Sequence, residues 1–365
     1  MWEFGEDFLH SVKIKVFGIG GGGCNAVNTM ITSKLEGVEF ISANTDAQDL
    51  KASLSPIKIQ LGQRITRGNG TGANPEIGKN AAREDMDKIK DAIIGTDMIF
   101  ITTGLGGGTG TGGAPVVAEV AKELEVLTVA VATKPFLFEG KTRMKVAEEG
   151  LNELKKMADT VITVPNQRLL SIASKNSKLV DAFKLVDEVL LQAVRGISSL
   201  ITSTGLINLD FADIATIMSE KGTALMGTGT AIGEHRAIEA AQKAISSPFL
   251  ENATIGGAKG ILINVTGGPD MTLYEVNEAA MLIQEEVDDE ANIIFGAVID
   301  ETYDDQIIVT VIATGIGQQT EKKKLEVPSF MNDFIRDDME IPPYVRKKKE
   351  QNNPLPIRGR GRLFN

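Results

Sequence analysis

The sequence predicts an α/β protein: a Rossmann-like, doubly wound and mostly parallel sheet, a long central helix, and a second, smaller α+β domain. Three observations predict it. Apolar, strand-like runs alternate with stretches of helical periodicity through the first half of the chain. Two strand-to-helix junctions, GIGGGGCN (18–25) and GLGGGTGTGG (104–113), are dense in glycine. About 25 residues from Lys178 keep helical periodicity with no breaker before Gly196. That run is longer than an average helix and reads as a spine between domains.

In chain order, VKIKVFGI (12–19) alternates and reads as a strand, followed by a helix over NAVNTMITSKL. VEFISA (38–43) and the short IKIQL (57–61) are the next strands. TRGNGTGANPEIG (66–78) is a loop, and Pro75 suits the first turn of a helix running to about Ile94. DMIFITT (97–103) is a buried strand and APVVAEVAKELE a helix. LTVAVAT (127–133) is a strand, EGKTRMKVAEEGLNELKKMA a helix and TVITVPN a strand. Beyond the spine, EHRAIEAAQKAIS and the run from Leu273 to about Val287 read as helices; GILINVTG, NIIFGAVID and QIIVTVIATG read as strands. After Gly317 a charged stretch reads as a linker. The expected divisions are a nucleotide-binding domain at 1–177, the connecting helix at 178–203, a C-terminal domain at 204–317, a linker at 318–338 and a tail at 339–365.

Composition narrows the function. The chain has 365 residues, 42% hydrophobic and 24% charged, as in ordinary soluble proteins. One cysteine excludes an internal disulfide and fits a reducing cytoplasm. His10 and His235 have no spaced partners, which argues against a zinc site or a histidine-based triad. No apolar run is long enough to span a membrane, and the acidic N-terminus shows no signal-peptide pattern. A net charge of −11 argues against nucleic acid as the main partner. The charge is uneven: residues 339–365 carry seven Lys/Arg against two Asp/Glu. A basic tail on an acidic body suggests a tail with its own partner.

Glycine permits positive φ and close approach of backbone to a ligand. A strand, glycines and a helix start aim several N–H groups at one point, and the helix dipole adds partial positive charge. Both junctions therefore read as phosphate sites, with Thr109 and Thr111 adding hydroxyls to the second. Gly18, Gly20 and Gly23 satisfy G-x-G-x-x-G, with Asp46 near the next strand end. Taken alone, that pattern favours a dinucleotide-dependent oxidoreductase. A dinucleotide fold, however, has no need of the second glycine junction. A P-loop is excluded, because the Gly-Lys-Thr at 140–142 would need glycine where Pro135 stands.

At this point the motifs are specific. GGGTGTGGAPVVA resembles the signature loop of the tubulin/FtsZ family. GGGGCN, NTDAQ (44–48), RGNGTGANPEIG, PFLFEG (135–140), VPN (164–166) and NLDFADI (208–214) resemble the remaining motifs of its bacterial cell-division GTPases, in their usual order over about residues 12–317. MEIPPYVRK resembles the family's C-terminal partner-binding peptide, with Pro343 and Tyr344 where Ala-Phe is more frequent. Cys24 and Gly113 also depart from the usual residues and remove no side-chain ligand.

The resemblance implies the tubulin/FtsZ fold, GTP or GDP as ligand, Mg2+ held mainly through the nucleotide, and no metal held by protein ligands alone. It implies that Gly20, Gly21, Gly22, Gly23, Cys24, Asn25, Gly106, Gly107, Gly108, Thr109, Gly110, Thr111 and Gly112 hold the phosphates. Asn44 and Asp46 lie near the phosphates and their magnesium; an Asx turn is the ordinary alternative. Gly70, Thr71, Gly72 and Ala73 approach the γ-phosphate. Pro135 belongs to the nucleotide-binding residues, Glu139 binds the ribose hydroxyls and Arg143 the sugar-phosphate region, although Glu139 and Arg143 at four-residue spacing also suit a surface ion pair on one helix. Asn166 reads the base. Phe183 stacks on guanine while Asp187 accepts from its N1–H and N2–H₂; a core phenylalanine beside a solvated acid is the alternative. Asp210 and Asp213, supported by Asn208, act on the nucleotide of the next subunit, although acids at a helix start are also favoured by its dipole. The expected function is a GTPase that polymerises head-to-tail into filaments of the division ring. These lie at the septum, in the cytoplasm at mid-cell, with the tail at 339–350 docking on a membrane-associated adaptor. An oxidoreductase and a non-catalytic nucleotide-binding filament are the competing classes.

Overall fold

Val16, Phe100, Val129 and Ile162 pack into one core, and their chain neighbours Phe17, Ile99, Ala130 and Val161 pack into another. Adjacent residues of a strand point to opposite faces, so these strands are buried on both sides and must be covered by helices twice. The computed structural model describes residues 12–172, 178–202, 209–219, 222–250, 257–288 and 290–316. His10, Asn208 and the tail at 339–365 lie outside them.

The first part runs β1 (Ile14–Ile19), α1 (Gly20–Thr32), β2 (Val38–Asn44), α2 (Ala47–Ala52), β3 (Ile57–Gln60), α3 (Gln63–Thr66), α4 (Pro75–Glu84), α5 (Met86–Ile93), β4 (Met98–Gly104), α6 (Thr109–Glu123), β5 (Leu127–Lys134), α7 (Lys141–Met157), β6 (Thr160–Pro165) and α8 (Asn166–Ile172). Then follow α9 (Leu179–Thr202), α10 (Phe211–Met218), β7 (Gly222–Ile232), α11 (Arg236–Ile245), β8 (Gly260–Gly267), α12 (Leu273–Gln284), β9 (Asn292–Ile299) and β10 (Gln306–Ile316).

Among the described residues the strands form one sheet in the order β3-β2-β1-β4-β5-β6-β7-β10-β8-β9. From β3 to β7 every pairing is parallel; β10 is antiparallel to both β7 and β8. The first part joins the second through three residue pairs, Thr160–Ile162 against Gly222–Ala224. The second part has a core of its own, where Ile261, Ile263, Val309 and Val311 meet Ala240 and Ala244 of α11 and Ala279 and Ile283 of α12.

The central helix, α9, has 24 residues. Its buried stripe, Val186, Leu190, Val194, Ile197 and Leu200, lies in the same core as Val16 of β1 and Leu262 and Ile312 of the second part. Each such side chain contributes about 1.5–3 kcal/mol on burial. Polar ties add register. Asn264 donates to the carbonyl of Gly196 (2.9 Å) and to Ser199 Oγ (3.0 Å). Arg195 donates to Tyr303 Oη (3.0 Å) and to the carbonyl of Ser33 (3.1 Å).

One expectation needs correction and one strand was not foreseen. The helix expected from Pro75 to about Ile94 is two helices, broken at Asp85. Asp85 turns its carboxylate to the N–H of Gly62 (2.7 Å) and to Lys88, and its backbone leaves helical geometry. The glycine- and threonine-rich stretch 222–232, which the sequence reading left unassigned, is strand β7. Its glycines are there for packing: a Cβ on Gly227 or Gly229 would collide with carbonyls of α11, Ala244 and Ala240 respectively.

In the second part, buried Arg236 joins the starts of α11 and α12. It bonds Glu275 through Nε (2.7 Å) and Nη2 (3.3 Å), and Asp270 through Nη1 (2.6 Å). Glu275 also closes a capping box with Thr272. Replacing Arg236 with Met strands Glu275, and urea unfolding is expected to show a loss of about 2 kcal/mol. A loss below about 0.5 kcal/mol would mean that this ion pair is only a surface ornament.

Candidate functional site

In open parallel sheets, ligands bind at the carboxyl ends of the strands. Here the expected nucleotide residues collect at that edge. The glycine segments are tighter than loops. Gly20, Gly21, Gly22, Gly23, Cys24 and Asn25 are already the first turns of α1, and Thr109, Gly110, Thr111 and Gly112 open α6; only Leu105–Gly108 is irregular. N–H groups in a first turn have no partner within the helix, so each start presents donors. Because β1 pairs directly with β4, the two starts lie side by side. A Cβ on Gly20 (φ 73°) would lie 2.9 Å from the nitrogen of Gly110.

A third segment closes on them. A Cβ on Gly108 would overlap Thr71, which brings Gly70, Thr71, Gly72 and Ala73 against the second glycine segment. The buried hydroxyls of Thr45 and Thr109 meet at 2.6 Å. Gly106 donates its N–H to Thr111 Oγ1 (2.9 Å), so the Thr111 hydroxyl shapes the loop while keeping its own proton to donate. Asn44 accepts from the N–H of Asp46 (3.2 Å), so the ordinary Asx turn is present. Asp46 in turn caps α2, accepting from Gln48 (2.9 Å) and Asp49 (3.3 Å).

Beside the glycines, Pro135 follows β5. Glu139 lies in a short 3-10 turn and Arg143 in α7, with Gly140 (φ 101°) between them. They do not share one helix, but they do pair, at 3.2 Å. The second Glu139 oxygen accepts the N–H of Phe136 (2.8 Å). Phe136 stacks on Phe138 (5.0 Å) and meets Phe183 edge-to-face (5.8 Å), which brings the start of α9 to this rim. Phe183 keeps 43% of its surface exposed. Burial pushes the Asp187 carboxyl up to about 6. Asn166 is 6% exposed and its Oδ1 has no hydrogen-bond partner among the described residues. A buried amide oxygen without a partner fits a ligand donor.

Asp210 and Asp213 lie elsewhere. Asp210 takes the N-cap position of α10, yet its carboxylate accepts no hydrogen bond from that helix. Both acids are exposed. They follow the far end of α9, where Thr202 touches Gly37, the residue before β2. That is the opposite edge of the sheet from Asn44.

Thr45 and Asp49 were not among the expected residues. Asp49 Oδ2 lies 3.5 Å from Asn44 Nδ2 and 3.4 Å from the position of a Cβ on Gly21. Its position three residues after Asp46, in the first turn of α2, is the sequence signal for it.

Two glycine-rich helix starts beside an orphaned amide and a half-exposed aromatic ring suit a nucleotide held without a P-loop lysine. The comparisons agree. Residues 13–174 match the tubulin/FtsZ family GTPase domain, and residues 222–317 match the FtsZ family C-terminal domain. An FtsZ dimer from M. jannaschii, solved empty, is 47% identical over 84% of this chain and 89% of that one, with a TM-score of 0.80. A tryptophan-to-tyrosine mutant of FtsZ from M. jannaschii matches at 47% identity over 84% of this chain and 92% of that one, with a TM-score of 0.81. CetZ2 from Haloferax volcanii, a GTPγS-bound protofilament, shares the fold at 20% identity over 93% and 100% of the two chains, with a TM-score of 0.72. The chain belongs to the tubulin/FtsZ family of GTPases.

Two measurements test the site's electrostatics. A raised Asp187 pKa means that this group's contribution to stability is full below its unfolded value of 3.8 and is lost as pH rises through about 6. Asp187→Asn should therefore stabilise the nucleotide-free protein at pH 7.5 by about 1–2 kcal/mol, discounted for partial solvent contact, with the gain shrinking towards zero near pH 4 in urea unfolding. A gain independent of pH would contradict the assignment. Burial likewise pushes the Cys24 thiol up to about 12, assisted by the charge of Asp49 and opposed by hydrogen bonds to Ser42 and Ala43. As Cys24 is the only cysteine, a disulfide reagent at pH 8 should leave the folded chain unlabelled and label it fully in denaturant.

Proposed function

We propose that this chain binds GTP and hydrolyses it at a site completed by the next copy in a head-to-tail filament. One observation carries this reading: the acid pair and the nucleotide edge lie at opposite ends of a rigid spacer. At about 1.5 Å per residue, α9 is about 36 Å long. Phe183 and Asp187 stand near its start, while Asp210 and Asp213 follow its end. They cannot serve the nucleotide of their own chain, but a second copy stacked along the helix direction brings them to it.

In this reading the first-turn N–H groups of α1 and α6 hold the phosphates, with Thr109 and Thr111 assisting. Gly70–Ala73 border the γ-phosphate. Pro135, Glu139 and Arg143 border the sugar. Phe183 stacks on the base, Asn166 Oδ1 accepts from it, and ionised Asp187 accepts from N1–H and N2–H₂, selecting guanine because adenine has no donor at N1. Bound Mg2+ neutralises phosphate charge; Asn44 and Asp46 lie where it would approach. Asp210 and Asp213 orient the attacking water across the interface, with Asn208 supporting. Phosphoryl transfer depends mainly on positioning and charge stabilisation, so inserting two acids across an interface can switch it on.

A heterologous contact of this kind does not close, so it yields filaments. The division-ring role at the septum and the cytoplasmic mid-cell location belong to the same proposal. So do the domain divisions at 177, 203 and 317 and the docking of the basic tail at 339–350 on a membrane-associated adaptor. Among the described residues no helix is long and apolar enough to cross a membrane.

Phosphate release per chain, measured against protein concentration with GTP and with ATP, tests the shared site. Turnover should be near zero below a threshold, rise above it, and appear with GTP only. Asp210→Ala should lose roughly 100-fold or more in turnover while binding GTP as wild type does. Turnover per chain that is flat with concentration would remove the cross-subunit role. Assembly on GTP without phosphate release would leave a non-catalytic filament.

A further inference from the structure

Asn69 and Gly70 form the one Asn-Gly pair in the 365-residue sequence, at the start of the segment that closes on the second glycine segment. Asparagine before glycine is chemically unstable. The backbone nitrogen of the next residue can attack the side-chain amide carbon, and glycine puts no side chain in its way. The other asparagines of this edge lack that neighbour. Asn25 precedes Ala26, Asn44 precedes Thr45, and Asn74 precedes Pro75, whose nitrogen has no proton to lose. Asn69 is exposed and Gly70 partly so, and water and base reach both. The Gly70 N–H donates to the carbonyl of Thr45 at 3.3 Å, a long and weak bond. Gly70 has φ 75°, a left-handed conformation that glycine adopts freely. The turn that shapes this segment therefore favours the very residue that makes Asn69 reactive.

We propose that Asn69 is a modification site, where water converts the amide to a carboxylate and thereby weakens nucleotide binding. The Gly70 nitrogen loses its proton to solvent base and bonds to Asn69 Cγ. The Cγ–Nδ2 bond breaks and ammonia leaves, which closes a succinimide ring. Water then opens the ring at either carbonyl. One opening gives aspartate. The other gives isoaspartate, whose main chain runs through Cβ and Cγ and is longer by one carbon. Both carry a negative charge that asparagine lacks. Asp46 pairs with Asn69 across an antiparallel bridge, so the new carboxylate lies close to an existing one. Asp46 Oδ2 is also the atom nearest to a Cβ on Gly70, at 3.8 Å. Two residues on, Thr71 closes on Gly108. A charge added here opposes an anion held by the glycine segments, and a lengthened main chain spoils the fit of Gly70–Ala73 against them. The loss of binding rests on the GTP reading of the site; the reaction at Asn69 does not.

The test holds the full chain without nucleotide at pH 8 for days. It follows peptide masses and, below the assembly threshold, GTP affinity. Asn69 should gain one mass unit ahead of the other asparagines of the described residues, with isoaspartate in the same peptide. GTP affinity should fall in step with the modified fraction. Freshly prepared Asn69→Asp should bind GTP roughly three- to tenfold more weakly than wild type, the scale of one added charge at high effective dielectric. Asn80→Asp, the same change at an exposed position of α4, should bind as wild type does. Asn69→Gln, whose longer side chain cannot close that five-membered ring, should start at wild-type affinity and keep it through the incubation. Asn69 that stays unmodified in the folded chain, while a peptide of residues 67–72 reacts under the same conditions, would overturn the proposal. So would modification that leaves GTP affinity unchanged. Fresh wild-type chain that binds no GTP would overturn the nucleotide reading instead, and the masses would still decide the reaction at Asn69.

Discussion

Gly20 and Gly110 meet with no room for a side chain between them. The rest of the nucleotide edge depends on that approach. Parallel pairing of β1 with β4 forces the two following helices to begin at the same height, and only glycine lets their first turns share the space. The convergence creates an anion site from backbone alone, which explains how a nucleotide site arises here without a P-loop lysine. It also explains why the neighbours are arranged as they are. Thr45 reaches Thr109, Thr71 reaches Gly108, and Arg143 reaches Gly106, so the adjacent segments close on the second glycine segment.

The second constraint is length. One face of α9 lies in the same core as both parts of the sheet. A helix so held cannot bend to bring its two ends together, and the exposed acids after it stay remote from the nucleotide edge of the same chain. In the proposed reading, this rigid spacer is the reason that Asp210 and Asp213 serve the next copy rather than their own chain. The polar ties along α9, from Arg195 to Ser33 and Tyr303 and from Asn264 to Gly196, fix its register against both parts.

Much of this was legible in the sequence because burial on two faces leaves continuous apolar strands, and 3.6-residue periodicity marks the helices between them. All six expected strands of the first part are present within about two residues. What escaped has local physical causes. Strand β7 is rich in glycine and threonine because α11 packs directly on its backbone, a tertiary demand that propensity does not carry. The break at Asp85 comes from a bond to Gly62, distant in sequence. Gly140 separates Glu139 from Arg143, so their pairing follows from a turn rather than from helix spacing. Asp49 was hidden because a first-turn acid normally needs no explanation beyond the helix dipole.

The exposed carboxylates raise an electrostatic problem whose solution links the two sites. In the proposed filament, Asp210 and Asp213 of one copy approach a nucleotide that already has Asp46 and Asp49 beside it. Every one of these groups is negative, as is the body of the protein, and unrelieved repulsion would oppose the contact. Backbone N–H groups offset part of the phosphate charge, but they are fixed in number. A divalent cation on the phosphates is the adjustable part: it neutralises charge contributed by both copies at the same point.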